Sequence, residues 1–159
     1  TLGSLSENSS PSWNNVNYIG RPDTYYIYQN SNRSLSFDFK LYPNSSKDME
    51  PMWSKLNYLT SLTYPDLASN TDSVFYYRSP FTRITIGDMY KETYGFISSL
   101  DISIPDDGVW EIGDVLGSDT ELPKLPQYVD VSIGYQIIES EYPRIGGKMY
   151  DIPNEWRDY

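Results

Sequence analysis

The sequence predicts a mainly β domain of the α+β class, antiparallel strands with one α-helix packed over a sheet. Two-residue alternation of apolar and polar side chains recurs in residues 33–42, 82–87, 100–104 and 127–138, the period of strands with one face buried. A single stretch, residues 47–62, switches to apolar spacings of three and four, the period of an amphipathic helix. Between these stretches lie clusters of Asn, Ser, Gly and Pro, residues that favour turns. The 159 residues suffice for one domain with a core.

Residues 1–24 are rich in Ser, Asn, Gly and Pro with isolated apolar side chains at Leu5, Trp13, Val16, Tyr18 and Ile19. Alone they bury too little to offset their ordering entropy, so they are expected as an N-terminal arm, flexible or ordered against a neighbour, or as a lid over the domain's own core. The domain proper is assigned to residues 25–138 and a C-terminal extension to 139–159, which carries Tyr142, Tyr150, Trp156 and Tyr159.

Tyr25 to Tyr28 form a β-prone run that the turn-rich Gln29-Asn30-Ser31-Asn32 is expected to end. Arg33 to Tyr42 follows with Leu35, Phe37, Phe39 and Leu41 inward and Ser34, Ser36, Asp38 and Lys40 outward, so the two runs read as a hairpin. The helix begins near Lys47 or Asp48, capped by Ser46 or Asp48. It holds Pro51 in its first turn, where a missing N–H costs little, and ends near Leu62 before Tyr64-Pro65. Its stripe of Met49, Met52, Trp53, Leu56 and Leu59 reads as core. A polar loop then leads to the aromatic run Phe75-Tyr76-Tyr77.

Residues 82–87, with Ile84 and Ile86 on one face, and Leu100, Ile102 and Ile104 read as a hairpin with a loop of several residues around Gly87, Asp88 and Gly95. Residues 113–126 read as a polar loop. Gln127 to Ile138 is expected to be central, because Val129, Val131, Ile133, Tyr135 and Ile137 all face one way, and burying them is worth on the order of 7–15 kcal/mol before entropy is subtracted.

Composition narrows the function. The net charge is −10, and the 12 Lys and Arg are scattered, which argues against a protein that grips nucleic acid through clustered cations. The chain has neither Cys nor His, so thiolate or imidazole metal sites and Ser-His or Cys-His catalysis are excluded. No apolar run reaches the roughly 18–20 residues of a membrane span. Thr1 in place of Met is what a processed chain, or a part of a longer product, would show. The Asn-x-Ser sequons at Asn8, Asn32 and Asn44 read as coincidence in an Asn- and Ser-rich chain.

The carboxylates Asp106 and Glu111 lack any signature of an acid/base pair beyond an ordinary Asp-Asp-Gly turn, and no calcium-loop spacing occurs. Phosphate-binding glycine motifs are absent as well. The expectation is therefore no enzyme, no catalytic residue, no metal and no cofactor. The 16 Tyr, 5 Phe and 4 Trp suit either protein contact or sugar stacking, which keeps a carbohydrate-binding β-sandwich module, centred on Trp110, as the alternative.

The segments RSLSFDFKLYPNSSKDMEPMWSKLNYLTSLTYPD, SPFTRITIGDMYKETYGFISSLDISIPDDGVWEI and LPQYVDVSIGYQII, in that order, resemble the tube-like domains of contractile phage tails. The nearest likeness is to baseplate hub and tube-initiator proteins and LysM-type baseplate components. The resemblance covers residues 33–138. It implies an antiparallel β-sandwich or barrel of two sheets with one flanking α-helix, and a non-enzymatic virion protein of the tail, assembled in the host cytoplasm as a homo-oligomeric, hexameric ring. Such a ring sits against other tail-tube and baseplate proteins at the baseplate/tail-tube junction, with a channel through which DNA passes without specific binding and with no membrane contact. Within that picture Trp13, in the arm, and Asp88, Tyr90 and Tyr94, in the loop of the central hairpin, are the candidate inter-subunit contacts.

Overall fold

A computed structural model describes residues 2–69, 75–106, 110, 125–141 and 143–152. The fold is mainly β with one helix, and neither of its two antiparallel sheets closes into a barrel. Among the described residues seven strands, β1 (Leu2–Asn17), β2 (Thr24–Leu41), β3 (Asp66–Ser69), β4 (Phe75–Arg78), β5 (Thr82–Ile86), β6 (Tyr90–Ser103) and β7 (Val129–Ile137), accompany helix α1 (Ser46–Ser61). The main sheet has the order β1-β2-β7-β6-β5, and β3 pairs with β4 in a small second sheet.

Strand β7 lies at the centre, as its alternation requires. Val129, Val131, Ile133, Tyr135 and Ile137 are all buried. Cross-strand partners continue the apolar face: Phe37 and Leu100 flank Ile133, and Phe39 and Ile102 flank Val131. Helix α1 covers one end of this face through Leu56, Trp53 and Leu59. The other end is filled by Tyr90, Leu35, Ile84, Ile86 and Ile97. The sheet's second face carries Asp38, Ser132 and Asp101 in one cross-strand row and Ser36, Gly134 and Ser99 in the next.

The helix matches its expected span, with two local corrections. Ser45 occupies the N-cap position, one residue before the expected Ser46, and its carbonyl accepts the Asp48 N–H at 2.9 Å. Because the helix starts at Ser46, Pro51 falls in the second turn, where it removes a donor to the carbonyl four residues earlier.

Three expectations about strands change. Residues 2–17, expected as an arm outside the sheet, are its edge strand. The Gln29–Asn32 tetrapeptide does not turn; β2 runs through it, and a register irregularity opposite Ser12 and Trp13 takes up the extra residue. Pairing with β1 supplies backbone partners that outweigh the local preference for a turn. The hairpin turn lies instead at residues 18–23, where Gly20 has φ 82°, a conformation glycine adopts without penalty. In the central hairpin the broad loop is also absent: β6 begins at Tyr90, directly after a tight turn containing Gly87 at φ 54°. The expected loop at 113–126 lies almost wholly outside the described residues.

Gly95 is a packing requirement. A Cβ there would stand 2.2 Å from the Gln136 carbonyl oxygen and 2.6 Å from the Tyr135 ring. Because the obstacle is backbone of the central strand, Gly95→Ala is expected to destabilise the domain by about 1–3 kcal/mol. A urea midpoint unchanged from wild type would refute that close approach.

Candidate assembly surface

Pairing between β2 and β7 runs only from Ser34 to Leu41, whereas pairing between β1 and β2 continues to Asn17 and Thr24. Beyond Arg33 the two strands therefore leave the sheet as a two-stranded ribbon. At about 3.3 Å per residue the ribbon extends roughly 30 Å before its turn. Cross-strand registration places Trp13 opposite Tyr28 and Asn15 opposite Tyr26 on one face, with Asn14 opposite Ile27 and Val16 opposite Tyr25 on the other. Trp13 and Tyr28 meet edge to face at 5.3 Å. Both faces are wet: Trp13 is 57% exposed, Tyr25 60% and Tyr26 62%.

The ribbon is rooted in an ionic cluster. Arg33 donates to Glu7 at 2.8 Å and to Glu139 at 2.9 Å, and its Nη2 reaches the Met149 carbonyl at 3.1 Å. Its guanidinium also lies 5.4 Å from the centre of the Tyr150 ring. The Tyr90 hydroxyl donates to the other oxygen of Glu7, and the Tyr90 and Tyr150 rings pack edge to face at 5.9 Å. Burial would raise Glu7, but hydrogen bonds from Tyr90 and Arg33 outweigh it and hold the carboxyl below its usual range. Burial would lower Arg33, and its bonds to Glu7 and Glu139 reverse that and raise it. Burial, followed by the bond to Glu7, pushes the Tyr90 phenol up, so Tyr90 stays a donor.

Residues 144–152 are tied down beside this cluster. The Lys91 N–H donates to Asp151 at 2.9 Å, the Asp151 N–H donates to the Met89 carbonyl at 2.9 Å, and Lys148 forms an ion pair with Asp151. The Lys148 bond, then the Lys91 backbone bond, hold Asp151 below the usual carboxylate range.

The four residues singled out from the sequence are dispersed. Trp13 lies on the ribbon, more than half exposed beside Tyr28. Asp88 is exposed in the β5–β6 turn and pairs with Lys91 at 2.8 Å. Tyr94, 37% exposed, packs on Phe81 at 5.4 Å, and Phe81 in turn packs on Phe96 at 6.5 Å, an aromatic cluster at the β5 edge. Tyr90 is only 2% exposed and belongs to the core. It is placed as a structural residue, because β6 starts at Tyr90 and turns that side chain onto the apolar face.

Arg33 and Glu7 were not among the sequence candidates, yet a signal was present. Arg33 shares parity with Leu35, Phe37 and Phe39, and a cation on the inward face of a strand calls for a buried counter-charge. Among the described residues no three acidic side chains converge as a metal site requires. Of the two carboxylates weighed and set aside as an acid/base pair, Asp106 is exposed, and Glu111 lies outside the described residues. No family model and no curated protein matches the chain.

Proposed function

We propose that this chain is a structural subunit of a phage tail, whose copies close a ring at the baseplate/tail-tube junction around a channel for DNA. One observation carries this reading: the main sheet has two unlike faces and two open edges. Its covered face is apolar and packed under α1. Its open face presents Asp38, Ser132, Asp101, Ser36 and Ser99 along the central strands, with Lys40 paired to Asp130 beside them, small and on balance acidic groups that repel phosphate and leave room beside it. Among the described residues strands β1 and β5 each have one neighbour, and an unpaired edge is a template for another strand. Head-to-tail joining of unlike edges generates a ring when the rotation closes, with the open faces turned to the lumen. The resemblance of residues 33–138 to tail-tube-like proteins supports six copies and a virion location. Its partners are then tube and baseplate proteins, and its work is association without turnover.

Electron microscopy and sedimentation of the purified protein test this. The expected result is a hexameric ring with an open centre. Monomers at every concentration, or a closed stack lacking a channel, would overturn it.

The sugar-binding alternative is favoured by one feature, the exposure of Trp110 at 48%. Glycan-array binding that disappears in Trp110→Ala, with the fold intact, would replace the ring reading.

A further inference from the structure

We infer that the β1–β2 ribbon of one copy is gripped on both faces by other copies of this chain. The inference rests on the ring proposed above and names what holds its members together. Tyr26 and Trp13 on one face and Ile27 and Tyr25 on the other are exposed by 42–62%. A ribbon that docked by one face would keep a polar back, as surface sheets do. This one has apolar side chains on both faces, and among the described residues pairing beyond Arg33 joins β2 to β1 alone. An isolated two-stranded hairpin is at best marginally stable in water, so covering both faces stabilises it as well as joining the copies.

Charge identifies the occupant. Between Asn8 and Asn32 the only charged residues are Arg21 and Asp23, which bond to each other at 2.9 Å. The ribbon is therefore neutral, and the chain's net −10 lies entirely outside it. Contacts between two acidic bodies are opposed by repulsion, whereas a neutral aromatic ribbon meets an acidic body without that cost. A cationic partner would select the acidic body rather than this ribbon. Summed over the ribbon's exposed aromatic and isoleucine side chains, the free area is on the order of 800 Å², about one side of a standard interface. A reach of roughly 30 Å carries it onto a neighbour.

The test uses two variants of the full chain. In the first, residues 11–31 are replaced by Asn-Gly, joining Ser10 to Asn32, which are cross-strand partners, by a turn suited to a two-residue hairpin. This keeps Glu7 and Arg33. A cooperative melt confirms the body is folded, and the expected result is a rise of more than about 100-fold in the concentration needed for assembly. In the second, a photo-crosslinking amino acid replaces Tyr26 or Ile27, one on each face, in a mixture of isotopically heavy and light chains. Heavy-to-light crosslinks onto body peptides are expected from both positions. Rings that form equally well without the ribbon, crosslinks from one face only, or capture of lipid, glycan or a different protein would each overturn the inference. Rings without ribbon crosslinks leave the ring proposal standing, whereas a full chain that never assembles removes both.

Discussion

Ile133→Asp is expected to abolish the soluble fold. Ile133 is 6% exposed, lies between Phe37 and Leu100 on the neighbouring strands, and packs in one cluster with Leu56 of α1. A carboxylate there has no cation within the cluster, and burying it unpaired costs several kcal/mol beyond the lost apolar contact. That is comparable with the whole stability of a domain this size, about 5–15 kcal/mol. The adjacent residue provides the control. Ser132 points to the other face, directly between Asp38 and Asp101, so Ser132→Lys meets two opposite charges and is expected to stay within about 0.5 kcal/mol of wild type. Expression trials and urea denaturation of the two variants decide it. A soluble, cooperatively unfolding Ile133→Asp would show that the two faces of β7 are reversed.

Arg33→Met is expected to destabilise the domain by about 3 kcal/mol near neutral pH, because it leaves two carboxylates without their counter-charge. The Arg33 side chain is 10% exposed and Glu7 17%, while Glu139 at 29% is better solvated and contributes less. Acid discriminates charge from packing. Glu7 has a depressed folded pKa, so its contribution is fully present above the unfolded value, about 4.3, and is lost as pH falls through the folded one. Without Arg33, burial acts on Glu7 with less opposition, the folded pKa moves up, and protonation becomes favourable to folding. The stability gap between wild type and variant should therefore narrow from about pH 7 to about pH 4. A gap constant across that range, measured by denaturation at each pH, would assign the effect to the lost arginine stem instead.

Much of the fold is legible in the sequence because it rests on periodicity. The alternation from Val129 to Ile137 places β7 at the centre, and the spacing of Met49, Leu56 and Leu59 yields α1 within a residue or two at each end. The misreadings share a cause, that local preference was weighed without the partner strand. Gln29 to Asn32 is turn-prone alone, but Ser10 to Ser12 pair with it. Residues 2–17 lack the apolar content of a strand, and the sequence does not reveal that β2 lends them a template. Tyr90 reads as loop because Gly87 and Gly95 bracket it, yet one tight turn suffices and the tyrosine goes inward. Of the candidate contacts, Trp13 and Tyr94 are available at the surface. The ribbon that presents Trp13 is a product of pairing and carries no periodic signature.

The position of β7 also sets the order in which the chain can fold. Hairpins β1–β2 and β5–β6 join near neighbours in sequence, but the strand between them is the last of the seven described strands to be synthesised. The bond from the Gln136 amide to the Arg33 carbonyl spans 103 residues. Until β7 leaves the ribosome, two hairpins with apolar faces and open edges wait without a common core, and loop closure over such distances makes folding slow and exposed to misassociation. Commitment to the native state thus waits for the one strand that joins two halves made long before it.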